Sequence, residues 1–472
     1  MSELRALAVH GDAFIYRSSK GTVLVDGGGS SATLGKQLAT ALPAVSHLDI
    51  VVCTHADLDH ANGLKSILTH WRRAKRGAAT IGEFWLPGRW LDVVKRGLID
   101  PQELMSELIK ELDEGRLDHA RAVMWSESGD DAGGSFEDDE GNESLPLTLS
   151  DVIKRLREAG STIQVATISG PSSENERPRT VTLKLHAEPR PAPGPIDDSD
   201  QLQDYANPFE PEWLGELRQR LANEPDDGRA ARAFENARRR VDYRTARYQH
   251  MVARGLPRRV WTTQPTARYC LALIDAAEAI VKIAKHAISH NVSIRWFDQD
   301  LYVDKGRAEG GRPGLLLPMN SVELRSVPTA VSSPLVVRML SKANRESLAF
   351  YAPADPGCRG LVFCADSRLG TGLAGVTPFQ TYRSMATSKQ IATAPHHGAE
   401  SAASAYAFAQ RFGIVDWVCA ANGRTSPGPS FRKIATKHRC CTGCPRLPKT
   451  IAAVNIDLKA IGYALPKGCT CT

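Results

Sequence analysis

The chain has 472 residues, of which 42% are hydrophobic and 24% are charged, a composition typical of soluble globular proteins and not of disordered or fibrous chains. No apolar run approaches the roughly 18–20 residues that a membrane span needs, and polar residues interrupt any signal-peptide core, so we expect a cytoplasmic protein without a membrane partner. The net charge of +6 identifies no partner by itself, and the length predicts one enlarged domain or a domain with substantial insertions.

Three short strands are predicted at Leu4–Val9, Ala13–Arg17 and Thr22–Val25, because apolar runs there are separated by glycine-containing turns. The third strand ends at Asp26, which three glycines follow. Such a turn can cradle a phosphate, but a single glycine triplet is weak evidence for this. The resemblance to a known family described below implies a structural role for Asp26 instead. A helix is predicted next, over residues 31–42.

The most informative segment comes directly after a short apolar run at 50–53, which predicts a buried strand. Strand alternation places three potential ligands on one side, and a tight turn into a helix near residue 61 would bring a fourth beside them. Carboxylate oxygens mixed with imidazole nitrogens suit Zn²⁺, Mn²⁺ or Fe²⁺, and the number of ligands indicates a site for two metal ions. An exposed polar turn is the disfavoured alternative. The four candidates are His55, Asp57, Asp59 and His60.

From residue 91 the alternation of strands and helices stops. Residues 91–124 have helical periodicity, and the segment Glu127–Glu143 contains eight acidic residues and no basic one, which predicts a solvated loop. A helix and two strands are predicted between 149 and 186, and most of Trp213–Ile283 is predicted to be helical.

Within this helical part, the segment Arg229–Trp261 contains ten arginines and only two acidic residues, with aromatic residues between them. Such a helix could follow a phosphate backbone and stack on bases. It could equally be a solvated face whose other side packs on the protein. The candidate nucleic-acid-binding residues are Arg238, Arg239, Arg240, Arg244 and Arg247.

Strands resume at Ser293–Phe297, and further strands are expected at 315–317, 322–327 and 347–351, where they would continue a second sheet. The next buried strand, at 360–364, leads directly to Asp366. A carboxylate at the end of a buried strand is costly unless it binds a metal or accepts hydrogen bonds, so Asp366 is a candidate ligand.

A last short strand at 391–393 leads to His396, His397 and Gly398. Adjacent histidines at the exit of a strand cannot both point the same way. We therefore expect one of them to bind metal and the other to support that ligand or to donate a proton. A pair of solvated loop histidines is the alternative.

In their order along the chain, these motifs resemble those of the metallo-β-lactamase superfamily, and the form H-x-D-x-D-H resembles the hydrolase domain of ComEC-type DNA-uptake proteins. The resemblance covers about residues 1–90 and 290–465. It implies a four-layer αββα sandwich, a dinuclear metal site and hydrolysis by a metal-activated hydroxide. It also makes Asp366 the bridging ligand and favours His396 over His397 as a ligand. The implied metal ligands are His55, Asp57, Asp59, His60, Asp366 and His396.

The chain departs from the superfamily pattern at two points. Asp57 stands where most members have histidine. A further histidine is usual between the first motif and the bridging aspartate, but no candidate for it lies in a recognisable context. The first metal site is therefore expected to be poor in nitrogen ligands. The histidines in that interval are His70, His119, His186, His250, His286 and His290.

The C-terminus contains a second group of potential ligands. The spacing Cys441-x-x-Cys444 lets two thiolates reach one Zn²⁺, and Cys469 and Cys471 could complete a closed structural site. This prediction rests on spacing alone, and free thiols or a redox pair remain alternatives. His438 and Cys440 are alternative ligands.

Together these patterns predict an α/β protein with four parts, at 1–90, 91–290, 291–435 and 436–472. The first and third parts would form the metallo-β-lactamase-like sandwich, the second a mainly helical insertion and the fourth a small cysteine-rich zinc element. The predicted cofactors are two divalent ions, Zn²⁺ or Mn²⁺.

The predicted function is hydrolysis of a phosphodiester in nucleic acid or nucleotides, with Asp59 and His397 as catalytic residues and His397 assisting the leaving group. One alternative keeps the metals but hydrolyses a thioester, lactone or lactam. Another is a non-catalytic module that binds nucleic acid or a partner.

Overall fold

The computed structural model describes residues 2–113, 209–223, 228–254, 264–326, 336, 340, 347–367, 369, 389–410, 412–420, 427–443, 451–459 and 465. These residues belong to one of two units into which the chain divides, and the second unit, Gly133–Asp198, lies outside the described residues. The predicted acidic loop, the elements expected between 149 and 186, and Cys444, Cys469 and Cys471 also lie outside them. Across the described ranges, no helix is both long and apolar enough to span a bilayer.

Short strands follow the apolar runs of the sequence, and most of their residues are buried. In chain order the described strands are β1 (Glu3–Ala6), β2 (Phe14–Ser18), β3 (Gly21–Val25), β4 (His47–Val52), β5 (Thr80–Pro87), β6 (Ser293–Asp298), β7 (Leu317–Pro318), β8 (Val322–Glu323), β9 (Phe350–Ala352), β10 (Leu361–Phe363), β11 (Gln390–Thr393), β12 (Ile414–Cys419), β13 (Arg439–Cys441) and β14 (Val454–Asp457).

Within the described residues these strands form two sheets. The first has the order β14-β1-β2-β3-β4-β5-β6-β8, and the second has the order β13-β12-β11-β10-β9-β7. Strands β3 to β6 are parallel, and so are β10 to β13. The carboxyl ends of neighbouring parallel strands lie at the same edge of a sheet, which brings the loops after β3 and β4 together in one sheet and those after β10 and β11 together in the other.

Helices occupy the connections. Their described bounds are α1 (Ser31–Ala41), α2 (Leu58–Ala61), α3 (Ile67–Ala74), α4 (Trp90–Ile99), α5 (Pro101–Asp113), α6 (Glu212–Asn223), α7 (Arg229–Ala253), α8 (Gln264–Ser289), α9 (Gln299–Lys305), α10 (Ala403–Gln410) and α11 (Pro429–Lys433), with 3₁₀ turns at Asn62–Ser66, Pro395–Gly398, Glu400–Ala402 and Thr436–His438. In α8, buried Leu273, Ala277, Ile280 and Ala284 recur every three or four residues, the spacing that turns one apolar face towards the core.

Three apolar cores define the layers. One contains alternate residues of the first sheet, such as Ile50 and Val52, together with Phe350 and Phe363 of the second sheet, so it lies between the sheets. Another joins the opposite face of the first sheet to α1, α3 and α8. The third joins the outer face of the second sheet to α10 and α11. This order of helices, sheet, sheet and helices is the predicted αββα sandwich.

The structure corrects one predicted strand. The sequence predicts residues 322–327 in the second sheet. Of the described residues 322–326, only Val322–Glu323 form a strand, and it pairs with β6 of the first sheet. The reason is a buried ion pair: Arg295 on β6 donates from Nε and Nη2 to Glu323 at 2.8 and 2.5 Å. Strands β12 and β13 lie in segments for which the sequence analysis predicts no strand.

The two ends of the chain meet in the first sheet. Residues 3–6 pair antiparallel with residues 454–457, with Leu4 opposite Ile456. Strand β14 therefore extends the first sheet beyond β1.

Candidate metal centre

The loop after β4 is held in shape by the glycine-rich turn after β3. Gly27 N donates to His60 O and Gly63 N donates to Gly28 O, both at 2.7 Å. A Cβ on Gly63 would lie only 1.8 Å from Gly27 O, so a side chain at 63 would force the two loops apart. The sequence Asn62-Gly63 is thus required by close backbone packing, and this packing fixes the position of His60.

Asp26 supports the loop from behind. Its carboxylate accepts hydrogen bonds from Thr54 N and Thr54 Oγ1 at 2.8 and 2.7 Å, and it lies 2.9 Å from His60 Nδ1. Asp26 is buried and has a positive φ of 60°. It therefore has the structural role that the resemblance implies, and the glycines after it make backbone contacts.

Four imidazoles meet at the edge formed by the ends of β4, β10 and β11. In each, Nδ1 lies close to an oxygen of another side chain, which orients the ring and directs Nε2 away from that partner. The pairs are His55 with Thr54, His60 with Asp26, His396 with Ser401, and His397 with Asp12, at 2.9, 2.9, 3.2 and 2.9 Å.

The Nε2 atoms face a second set of carboxylates. His55 Nε2 lies 3.4 Å from Asp366 Oδ2 and 3.7 Å from Asp57 Oδ2. His60 Nε2 lies 3.3 Å from Asp366 Oδ1. The two oxygens of Asp366 thus face two different histidines, as a bridging carboxylate requires.

The adjacent histidines reach the same region from β11. His396 Nε2 lies 3.7 Å from Asp366 Oδ2, and His397 Nε2 lies 2.9 Å from Asp59 Oδ2. The side chains of Asp57 and Asp59 are 36% and 39% exposed, whereas that of Asp366 is buried. The two half-exposed carboxylates are therefore where a substrate can approach.

Several buried polar atoms of this cluster have no hydrogen-bond partner among the described residues. Asp12 Oδ1 and His397 Nδ1 are among them although they lie 2.9 Å apart, because their orientation is not that of a hydrogen bond. Buried nitrogen and oxygen atoms are rarely left without partners. Divalent cations coordinated by these groups would satisfy them, and the mixture of imidazoles and carboxylates fits Zn²⁺ or Mn²⁺. The unpartnered atoms are His55 Nε2, His60 Nε2, Asp366 Oδ1, His397 Nδ1 and both carboxylate oxygens of Asp12.

The electrostatics of the site favour positive charge. Burial by itself would lower the pKa of His55, but the Asp366 and Asp57 carboxylates outweigh it and raise the pKa to about 9. Burial opposes the charged form of His60 and His397 as well, yet nearby carboxylates raise both pKa values well above the usual range. Without metal, protons on these rings supply the positive charge that the carboxylates require, and metal binding would displace them.

The pKa values of the carboxylates shift in the opposite direction. Burial would raise the pKa of Asp366, but the charges of His396, His60 and His55 lower it well below the usual range. Burial would likewise raise the pKa of Asp59, and its contact with His397 lowers it. Both carboxyl groups are therefore anionic at neutral pH.

All six ligands implied by the sequence lie in this cluster, and the structure adds Asp12. Two groups have the spacing of a metal site: His55, His60 and Asp366, and Asp12, His60 and His397. Asp12 lies in the turn between β1 and β2, where its N–H donates to Asp59 O at 3.0 Å. The sequence shows only an aspartate directly before the apolar run 13–16. Turns commonly contain aspartate, so this position alone does not indicate a metal ligand.

The described part of the C-terminal cysteine group is buried. Cys441 packs with Cys419 and Phe431 in the core outside the second sheet, and Cys440 faces the core between the sheets. His438 Nδ1 lies 2.7 Å from Asp416 Oδ1. The other three cysteines lie outside the described residues, so the zinc element remains a prediction.

The arginine-rich segment forms α7, and its arginines have different surroundings. Arg238 is half-buried and donates from Nε and Nη2 to Asp275 Oδ1 on α8, at 3.0 and 2.6 Å, and it also contacts Glu278. Arg239, Arg240 and Arg247 are exposed, and Arg244 is half-buried. The aromatic Tyr243 on the same helix is 68% exposed.

Comparison with known families agrees with this geometry. The family model of the metallo-beta-lactamase superfamily matches residues 7–146, which include Asp12, Asp26 and the motif from His55 to His60. No curated protein matches the chain. The family match and the two groups of candidate ligands together indicate a metal-dependent hydrolase.

Proposed function

We propose that the protein is a metal-dependent phosphodiesterase that acts on nucleic acid or nucleotides. The observation that carries this proposal is the buried set of imidazole and carboxylate atoms without hydrogen-bond partners among the described residues, which lies beside two half-exposed carboxylates. When bound, two divalent cations, Zn²⁺ or Mn²⁺, supply Lewis-acid stabilisation of phosphoryl charge and make hydroxide available near neutral pH.

The chain's own residues position this chemistry. Asp366 presents one oxygen to each half of the site, and the groups behind each Nδ1 fix the four rings. Asp59 is close to the solvent-exposed mouth and is held by His397 Nε2, so its carboxylate cannot rotate freely. Three aspartates give the site a strong preference for cations that accept oxygen ligands, which include Mn²⁺.

The exposed face of α7 supports nucleic acid as the substrate class. Arg232, Arg239, Arg240 and Arg247 are exposed along a helix of 25 residues, which spans about 37 Å. Exposed arginines can contact successive phosphates, and the exposed Tyr243 can stack on a base. We exclude Arg238 from this surface, because its guanidinium is engaged with Asp275 and Glu278.

The test is a substrate panel on the purified full chain with Mn²⁺ and with Zn²⁺. Single-stranded DNA, duplex DNA, RNA, cyclic dinucleotides, a bis-aryl phosphate and a lactam would be compared for the parent and for Asp59→Ala. The parent should cleave one or more of the phosphodiesters, and Asp59→Ala should abolish cleavage while retaining the parent's circular dichroism. Asp92→Ala, an exposed aspartate on α4, is the matched control and should cleave as the parent does.

Three results would overturn this function. Cleavage of every phosphodiester by Asp59→Ala at the parent's rate would remove the metal site from the reaction. Hydrolysis of the lactam alone would move the protein to the second class of substrates. Fewer than one metal equivalent beyond any zinc at the C-terminus would favour a binding module without catalysis.

A further inference from the structure

Two adjacent residues, His396 and His397, extend towards different carboxylates. His396 Nε2 approaches Asp366 Oδ2, and His397 Nε2 approaches Asp59 Oδ2. The two ring centroids are 6.2 Å apart. Both rings therefore face the cluster, but each faces a different part of it.

The backbone explains how neighbouring side chains reach one cluster. His396 has φ 48° and ψ 53°, and His397 has φ 51° and ψ 24°, so both residues are in the left-handed region. In an extended strand successive side chains point to opposite faces, and the left-handed conformation removes that alternation. The left-handed conformation is unfavourable for an L-residue, and two such residues in succession persist only where their surroundings impose it.

Hydrogen bonds on both sides impose it here. His396 N donates to Ala365 O at 2.9 Å, which ties this turn to the loop that contains Asp366. Gly428 N donates to Gly398 O at 2.8 Å, and Cys419 Sγ donates to His397 O at 3.1 Å. The turn is thus fixed between the ends of β10 and β12.

When the four Nε2 atoms are sorted by the carboxylate oxygen that each one approaches, the cluster has two halves that share Asp366. His60 lies at the boundary of these halves, since it belongs to both groups with the spacing of a metal site. Each half contains two imidazoles, one aspartate of its own and one oxygen of Asp366. The first half consists of His55, His396, Asp57 and Asp366 Oδ2, and the second consists of His60, His397, Asp59 and Asp366 Oδ1.

We propose that His396 and His397 are ligands of two different metal ions, and that His396 supplies the first site with the nitrogen that a separate intermediate histidine usually provides. This inference rests on the metal binding of the proposed function, and it replaces the interpretation of one ligand and one proton donor. His396 thereby supplies that nitrogen without any of the histidines that the structure describes in the interval, none of which belongs to the candidate metal groups. His286, for example, lies in the interval but accepts a hydrogen bond from Leu68 N instead.

The two sites differ in the groups that lie beside Nδ1 of their histidines and in the solvent exposure of those histidines. In the second, His60 and His397 are buried, and each has a carboxylate behind Nδ1, Asp26 or Asp12. In the first, His396 is 28% exposed, and a hydroxyl takes the place of the carboxylate. A carboxylate behind a histidine increases its basicity and typically raises metal affinity 10–100-fold. The second site should therefore bind the tighter ion.

The test is a Mn²⁺ titration of the metal-free full chain, followed by electron paramagnetic resonance and elemental analysis. Mn²⁺ is chosen because thiolates at the C-terminus bind it poorly. The substitutions are His396→Gly and His397→Gly, since glycine accepts a positive φ and supplies no ligand. His47→Gly, at an exposed position on β4, is the matched control.

The parent should bind two Mn²⁺ ions with affinities about tenfold or more apart and should show the spectrum of a spin-coupled pair. His396→Gly should lose the weaker ion and retain the tighter one, so that only the uncoupled Mn²⁺ spectrum remains. His397→Gly should weaken the tighter ion at least tenfold, and His47→Gly should match the parent. In the absence of metal, each variant should keep the circular dichroism of the parent and a cooperative thermal transition, which excludes misfolding.

The proposal is wrong if His396→Gly still binds two coupled ions, or if both substitutions remove the same ion. Failure of the proposed function would look different. The parent would then bind the two ions and respond to the substitutions as described, but it would cleave no phosphodiester in the panel.

Discussion

His60 at the sheet edge and His286 in the helical layer are both buried, yet their ionisation is opposite. Burial would lower the pKa of His60, but Asp366 and Asp26 raise it well above the usual range. Burial, with a smaller effect from His290, lowers the pKa of His286 to about 3. His60 Nε2 has no hydrogen-bond partner in the described part of the chain, whereas His286 Nε2 accepts a hydrogen bond from Leu68 N at 3.0 Å.

The difference shows which property marks a functional site. Burial and histidine are common to both places, so neither identifies the site. At the sheet edge, buried nitrogens that lack partners among the described residues lie beside buried carboxylates, and this combination is what a bound cation would satisfy. In the helical layer, His286 and Arg238 have partners within the protein, and these contacts hold α8 against α3 and α7.

The largest effect is expected from a substitution of Asp366, at the centre of the cluster of histidines and carboxylates at the sheet edge. Asp366→Asn keeps the shape of the side chain but removes the charge that faces His55 and His60. We expect loss of both metal ions, measured by elemental analysis, and hydrolysis reduced to background. Asp275→Asn, in the helical layer, should keep both ions. Two ions bound to Asp366→Asn would contradict the assigned bridge.

The second prediction concerns His286 and pH. Its pKa in the folded protein, about 3, is below the unfolded value of about 6.5, so the unfolded chain binds more protons. This contribution to stability is complete above pH 6.5 and is lost as the pH falls towards 3. Between pH 6.5 and 4 we expect a loss of roughly 3 kcal/mol, measured by urea unfolding of the metal-free protein. His286→Gln should flatten the curve in this range, and an unchanged slope would disprove the assignment.

The third prediction distinguishes the roles of Asp12 and Asp26, the carboxylates that lie beside Nδ1 of His397 and of His60. Asp12→Asn should weaken binding of the tighter ion 10–100-fold, because it removes the charge behind His397. It should also lower metal-free stability, because the Asp12 carboxylate favours the positively charged form of the buried His397 imidazole. Asp26→Asn should lower metal-free stability further, because Asp26 also accepts two hydrogen bonds from Thr54. Calorimetric titration and urea unfolding measure the two quantities, and equal effects of the two substitutions would count against this distinction.

The smallest expected effects distinguish the arginines of α7. Arg238→Ala should destabilise the fold by about 1 kcal/mol, since this half-buried side chain joins α7 to α8. Arg239→Glu with Arg240→Glu should change stability by less than about 0.5 kcal/mol. The double substitution should instead weaken DNA binding and reduce its salt dependence, by a slope of about 0.9 for each phosphate that the helix no longer neutralises. Fluorescence anisotropy at several salt concentrations measures this, and an unchanged slope would exclude the exposed face of α7 as a DNA-binding surface.

Local patterns in the sequence predict much of the first region. The strands before His55 and before Asp366 follow from short-range apolar runs, and the αββα layers agree with the resemblance. The predicted strand alternation through Asp59 is wrong, because the helix begins at Leu58 and not near residue 61, so that Asp59 and His60 both lie on α2. The way in which His396 faces Asp366 while His397 faces Asp59 is not predictable from strand alternation, because the backbone leaves the extended region at His396.

Long-range pairing is the least predictable feature. The placement of Val322–Glu323 in the first sheet depends on the buried partner Arg295, and the pairing of β14 with β1 joins residues more than four hundred positions apart. Asp12 escapes prediction for a related reason. Its role arises only when Asp59 and His397 approach it from distant segments.

The left-handed conformation of His396 and His397 has a consequence for how this protein can be improved. Glycine at either position would remove the strain of a positive φ, roughly 1 kcal/mol. It would also remove an imidazole that faces buried carboxylates, Asp366 for His396 and Asp12 and Asp59 for His397. Glycine at this turn is therefore not a route to a more stable metal-free protein, because the side chains that bear the strain are the ones that compensate the buried carboxylates.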